Sequence, residues 1–159
     1  MLLLCPIRKS QARRLGIGAT AGSRKKALAK VSCTLLSTDW AVPDRGLADT
    51  VVQVRRWADE AGLMPPVVFG HAGNGHPHCN YIGHDADEVK RIEAVVERTL
   101  REVLTLGGTV GAQHGLGKLK AKWLALQFSA TQQRMLRAIK RELDPAGLLA
   151  PGNILGTAR

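Results

Sequence analysis

Aromatic side chains are scarce: three Trp, two Phe and one Tyr make up 4% of the 159 residues. Leu, Val, Ile and Ala must therefore fill the interior. Cysteine is rarer still: Cys5, Cys33 and Cys79 are odd in number and scattered. That excludes a disulfide framework and points to a reducing compartment. Cys79 reads as a small core residue. No apolar run is long enough to span a bilayer. The apolar start, Met1 to Ile7, is too short for a signal-peptide core, and its basic residues follow rather than precede it. A cytoplasmic location is expected, with peripheral attachment to a membrane left open.

Acidic residues are missing from the first 30 positions. Eight of the 23 Lys and Arg fall there, which leaves 15 bases against 13 acids in the rest of the chain. The net charge of +10 is thus the property of an arm, not of the body. Such an arm suits nucleic acid or an anionic membrane. It lacks interleaved aromatics, which argues against stacking on single strands. Residues 1–37 have poor periodicity and several Gly and Ser, and read as a basic irregular arm or the remnant of a larger domain, with one domain of 38–159 following.

Histidine and glycine are what the chain does have, in two places. Gly70-His71-Ala72-Gly73-Asn74-Gly75-His76-Pro77-His78 places three imidazoles around a turn. Pro66–Phe69 leads in with strand composition, and Cys79–Ile82 leads out. Asn74-Gly75 favours a two-residue hairpin with both residues at positive φ. The hairpin brings His71 and His78 side by side, and His76 and His78, two apart, share a face. Imidazole is the commonest neutral metal ligand and titrates near physiological pH, so the cluster suggests metal binding or proton transfer. Taken singly, each histidine is more often a surface or core residue, and His84 reads as a loop histidine. The second segment, Gly107 to Gly117, holds His114 among glycines that let a ligand approach the backbone. Lys118, Lys120 and Lys122 follow with positive charge. The phosphate-loop spacing is absent.

Helical periodicity appears three times. Asp44 caps a first helix running to Ala61, with Leu47, Val51, Val54, Trp57, Ala58 and Ala61 on one side and Gly62 ending it. Asp85 and Glu88 open a second, with Val89, Ile92, Val96, Leu100 and Val103 inward, stopped by Gly107-Gly108. Ser129 and Gln132 make a capping box for a third, faced by Met135, Leu136, Ile139 and Leu143 and ended by Asp144-Pro145. Thr109-Val110 is a short strand candidate, Leu119 to Gln127 a short helix, and Leu148 to Leu155 an ordered apolar tail. The expected fold is α+β, with helices on one face of a small, largely antiparallel sheet.

These motifs resemble the C-terminal domain of FAD-linked oxidases of the D-lactate dehydrogenase, D-2-hydroxyglutarate dehydrogenase and glycolate-oxidase flavoprotein-subunit type. Gly-His-x-Gly-Asp-Gly-Asn-x-His reads here as Gly70 to His78. Gly-x-x-x-x-Glu-His-Gly-x-Gly-x-x-Lys reads as Gly108 to Lys120. Lys-x-x-Leu-Asp-Pro-x-Gly-x-x-x-Pro-Gly reads as Lys140 to Gly152, and Asp39 with Pro43 matches an Asp-x-x-x-Pro lead-in. The resemblance covers roughly residues 38 to 155.

The resemblance implies an enzyme that oxidises a small 2-hydroxy acid by hydride transfer to FAD. It implies His114 as the catalytic base, His71 and His78 as ligands of a divalent metal such as Zn, Asn80 as a substrate contact, and Gly115, Gly117 and Asn153 beside the flavin. Four positions depart from the pattern. Gln113 replaces a ligand Glu, and Asn74 replaces an Asp. His76 replaces an Asn and, with Gln113, is a further candidate ligand. Ser37 stands where dicarboxylate-oxidising members carry Lys. The family's FAD-binding domain precedes this one, so the chain is expected to be a fragment or split subunit whose partner is an FAD-binding domain or subunit. The alternatives are a non-catalytic remnant domain and a basic nucleic-acid-binding protein acting through residues 1–30.

Overall fold

The computed structural model describes residues 3–4 and 33–155. The nucleic-acid reading of the basic arm lies outside them, apart from Leu3 and Leu4.

An antiparallel sheet forms the frame. It comprises β1 (Leu3–Leu4), β2 (Thr34–Ser37), β3 (Val67–His71) and β4 (His76–Gly83), in the order β1-β2-β4-β3. Three helices of three turns or more accompany it: α1 (Leu47–Glu60), α2 (Ala86–Thr105) and, after the single turn α3 (Leu124–Gln127), α4 (Ala130–Leu143). The fold class is thus the α+β arrangement expected. Two boundaries differ. Thr34–Ser37, assigned from sequence to the irregular arm, pair with residues 80–83 of β4, so ordered structure starts earlier. A 3-10 turn over Asp44–Gly46 precedes the regular part of α1.

Alternation along β4 separates two faces. Cys79 and Tyr81 point into the core with Trp57, Ile92, Val96 and Leu100. Burial pushes the Cys79 thiol up to about 11, so it is an inert packing group. On the opposite face Val67, Phe69 and Ile82 stay exposed. Helix α2 begins where Asp85 accepts from the backbone N–H groups of Asp87 and Glu88, and Glu88 reaches back to the His84 N–H at 2.7 Å. His84 is exposed, as a loop residue should be.

Helix α4 has the full Ser129–Gln132 capping box. Its apolar stripe, however, is mostly uncovered among the described residues: Leu136 is half-buried, but Met135, Ile139 and Leu143 are exposed, and so are Leu148 and Leu149 beyond it. Asp144 clasps that tail. It accepts from the Leu148 and Leu149 N–H groups and from Lys140, which together hold its carboxyl below the usual range. Thr109 forms an isolated bridge with Ala41 in place of a full strand, and Leu119 to Gln127 divides into a 3-10 turn and α3.

Candidate functional site

The hairpin places the histidines by register. His71 lies opposite His76, Gly70 opposite Pro77, and Phe69 opposite His78. All three imidazoles therefore share one face, His78 diagonal to His71. The turn is not the expected two-residue one. Ala72–Asn74 form a 3-10 turn and Gly75 alone takes a left-handed conformation, with φ of 60°. Gly70 explains part of this closure. Its φ is 148°, and a Cβ there would stand 2.4 Å from the His76 carbonyl oxygen, so only glycine allows β4 to approach so closely.

The loop after α2 is brought to the same face by the segment Asp39–Val42. This segment runs beside β4, with Thr38 N–H donating to the Cys79 carbonyl and Val42 N–H to that of Gly75, both at 3.0 Å. On its other side Ala41 and Thr109 exchange backbone hydrogen bonds of 3.0 and 2.8 Å. Gly108 permits that contact, because a Cβ would lie 2.2 Å from the Ala41 carbonyl oxygen.

At the junction lies Asp39, with a side chain wholly removed from solvent. One carboxylate oxygen, Oδ1, accepts from His76 Nε2 at 2.8 Å. The other, Oδ2, accepts from the backbone N–H of His114 at 2.6 Å and of Gln113 at 3.2 Å. Burial alone would raise its pKa. The hydrogen bonds from His114, His76 and Gln113, with attraction to Lys120, outweigh burial and hold it below the usual carboxylate range. Burial pushes the Lys120 ammonium in the opposite sense, below its ordinary value. The resemblance had named Asp39 only as part of a lead-in, and its role was missed. The available signal was an acid set in the apolar run Trp40-Ala41-Val42.

The result is a contiguous group of four imidazoles. Ring centroids are 5.5 Å apart for His71 and His76, 5.9 Å for His71 and His78, 4.5 Å for His76 and His78, and 5.2 Å for His78 and His114. His76 and His78 are buried; His71 and His114 are exposed. Burial and the neighbouring His76 lower the His78 pKa, only partly offset by Thr38 and Asp39. An open polar cleft beside the group is lined by His71, Asn74, His76, Thr109, Ala112 and Gln113.

The other expected residues fall around this group. Asn80 sits on the same face, two residues beyond His78. Its buried Oδ1 has no hydrogen-bond partner, an orphan acceptor at a site that could take a ligand. Gly115 and Gly117 both have positive φ, of 67° and 54°. The tail returns to this loop, with Ile154 N–H donating to the Gly117 carbonyl at 3.1 Å. Asn153 is exposed next to that contact. Two groups of side chains place their ligand atoms within 4.8 Å of one another, His71 with His76 and His78, and Asp39 with His78 and His114. The residues present thus fit a divalent metal.

Comparison with known proteins assigns the chain to a family. Residues 8–154 match the family model described as FAD linked oxidases, C-terminal domain. The chain is 31% identical to the glycolate oxidase subunit GlcD of Bacillus subtilis over 134 residues, covering 83% of this chain and 28% of that protein. It is 31% identical to a probable mitochondrial D-lactate dehydrogenase of Danio rerio, covering 77% of this chain and 25% of that one. With a D-2-hydroxyglutarate dehydrogenase of Xanthomonas citri pv. viticola it shares 35% identity, covering 57% of this chain and 20% of that protein. The chain therefore spans less than a third of each of these relatives.

Proposed function

Because the chain belongs to the FAD-linked oxidases through their C-terminal domain, we propose that it forms the substrate side of an enzyme oxidising a small 2-hydroxy acid. The observation that carries this reading is the Asp39 carboxylate, which ties the His76 ring and the His114 loop to one point. It holds an exposed imidazole, His114, beside a cluster suited to a divalent cation.

In this reading His114 accepts the substrate hydroxyl proton, for which an imidazole is well suited near neutral pH. Asn80 offers its unpartnered oxygen to the substrate. His71 and His78 would hold a divalent ion, which would supply positive charge for the substrate oxygens, and a bound flavin would supply the hydride acceptor. The C–H bond thus loses a hydride and the O–H bond a proton, which leaves a 2-oxo acid. Gly115 and Gly117, in the His114 loop, and Asn153, in the tail that returns to it, are the residues proposed to face the flavin. Among the described residues nothing covers the sheet face with Val67, Phe69 and Ile82. An FAD-binding domain or subunit is the proposed partner for that face.

Reconstitution tests this. The chain is mixed with the FAD-binding portion of the Bacillus subtilis relative, and flavin bleaching is followed anaerobically with glycolate, D-lactate and D-2-hydroxyglutarate. One of them should bleach the flavin, and His114→Asn should slow bleaching by about 10²–10⁴-fold. No bleaching in a formed complex, or bleaching unaffected by His114→Asn, would overturn the proposal.

A further inference from the structure

We infer that His76 is this chain's third metal ligand, so that His71, His76 and His78 form an all-imidazole site and Gln113 stands outside it. The inference rests on the proposed function only in placing a divalent ion on this face.

Three observations carry it. First, register puts the three rings on one face with their ligand atoms within 4.8 Å of one another. Second, Asp39 Oδ1 accepts from Nε2 of His76 at 2.8 Å, which fixes the proton on that nitrogen and leaves the Nδ1 lone pair for a cation. A carboxylate behind a ligating imidazole also raises its basicity. Third, the competing group is compromised. Asp39 already accepts from His76 and from the Gln113 and His114 N–H groups, which occupies three of the roughly four lone-pair directions of a carboxylate. That leaves His114 free for proton transfer.

Chemistry then restricts the ion. Three neutral nitrogen ligands suit Zn²⁺ and other late first-row ions such as Co²⁺ and Ni²⁺, and poorly suit Mg²⁺ or Ca²⁺, which want oxygen donors. Three protein ligands leave at least one position open for substrate or water. The buried Asp39 charge stands behind the site and supplies, through His76, part of the negative field that Gln113 cannot.

Competition titration with Zn²⁺ and the ligand-field spectrum of the Co²⁺ form, both on the full chain without flavin or substrate, test the inference. One ion should bind per chain. Loss of an outer-shell partner alone costs roughly 10–100-fold in affinity, so His76→Asn should cost at least about tenfold. Gln113→Ala should stay within about twofold of the parent, its side chain being no ligand. The double variant His76→Asn with Gln113→Glu should recover binding by supplying a carboxylate. If His76→Asn misfolds by circular dichroism, the ¹⁵N resonances of the unaltered protein decide instead: Zn²⁺ must move Nδ1 of His76 directly. Parent-like binding by folded His76→Asn, loss on Gln113→Ala, an unmoved His76 resonance or no binding by the parent each overturns the inference. The outcomes that concern His76 and Gln113 leave the flavin bleaching and its dependence on His114 unchanged, and it is failure of that reconstitution that would strike the functional reading.

Discussion

Replacing Asp39 by Asn keeps the size of the side chain and removes the charge that three donors share. An amide can face its oxygen to His76 or to the His114 and Gln113 N–H groups, not to both. Hydrogen bonds to a charged group are each worth about 1.5–3 kcal/mol, so Asp39→Asn should destabilise by about 3 kcal/mol in urea unfolding. The pH dependence follows from the lowered pKa. The contribution of Asp39 is fully present above the pKa of an unfolded Asp. It is lost as pH falls from that value through the lower folded one. In Asp39→Asn that acid-side loss should vanish from the stability profile. Gln113→Glu acts in the other direction on the metal. A carboxylate reaching the cleft beside His71 should tighten Zn²⁺ by about tenfold or more, roughly 1.4 kcal/mol. Sequence spacing was enough to put His71, His76 and His78 on one face, since period two determines it, but not to fix the register, which sets His71 opposite His76 and not beside His78. Asp39 was not legible, because its partners lie 37, 74 and 75 residues away and nothing local reveals such contacts.

The elements that could be read are those whose determinants are local. Helix α2 shows its period in Ile92, Val96, Leu100 and Val103 and its cap in Asp85, and both act as expected. The box at Ser129 likewise forms in full, and Ser129→Ala should cost about 1 kcal/mol in thermal or urea unfolding without altering metal binding. Strand β2 was hidden because four residues show no usable alternation. Its strand character comes from β4 alongside. The turn was misread because Asn74-Gly75 is a two-residue signal, whereas Ala72–Asn74 curl into a 3-10 turn that uses only Gly75 at positive φ. The Asp144 clasp adds a condition-dependent element. Its lowered pKa means that the hold on Leu148 and Leu149 persists above the ordinary carboxylate range and is lost as pH falls through the folded value. Amide exchange at these two residues, compared with Asp144→Asn, should show the tail loosening first under acid.

On the scale of the molecule the two sheet faces have different fates. Helices α1 and α2 cover one. The other presents Val67, Phe69 and Ile82 to solvent beside the imidazoles. If this face receives an FAD-binding domain, Phe69→Glu should abolish co-elution with that domain. The same variant should keep the melting temperature, because the 55% exposed ring is not core. Size-exclusion chromatography and thermal melting separate the two effects. Among the described residues no helix is long and apolar enough to cross a membrane.

The separations bridged by Asp39 also bear on how the chain reaches its native state. His76, Gln113 and His114 meet that carboxylate only after loops of 37 to 75 residues have closed. Contacts of such range are among the last rewarded during folding, since loop entropy must be overcome first. The imidazole cluster is then complete only in molecules whose three segments have all docked. The three imidazoles of the proposed metal site lie on one hairpin and need none of these closures, so a Co²⁺ spectrum recorded during refolding should develop before the His114 loop docks. Exchange protection of the Gln113 and His114 amides, which donate to Asp39, should mark the end of the reaction.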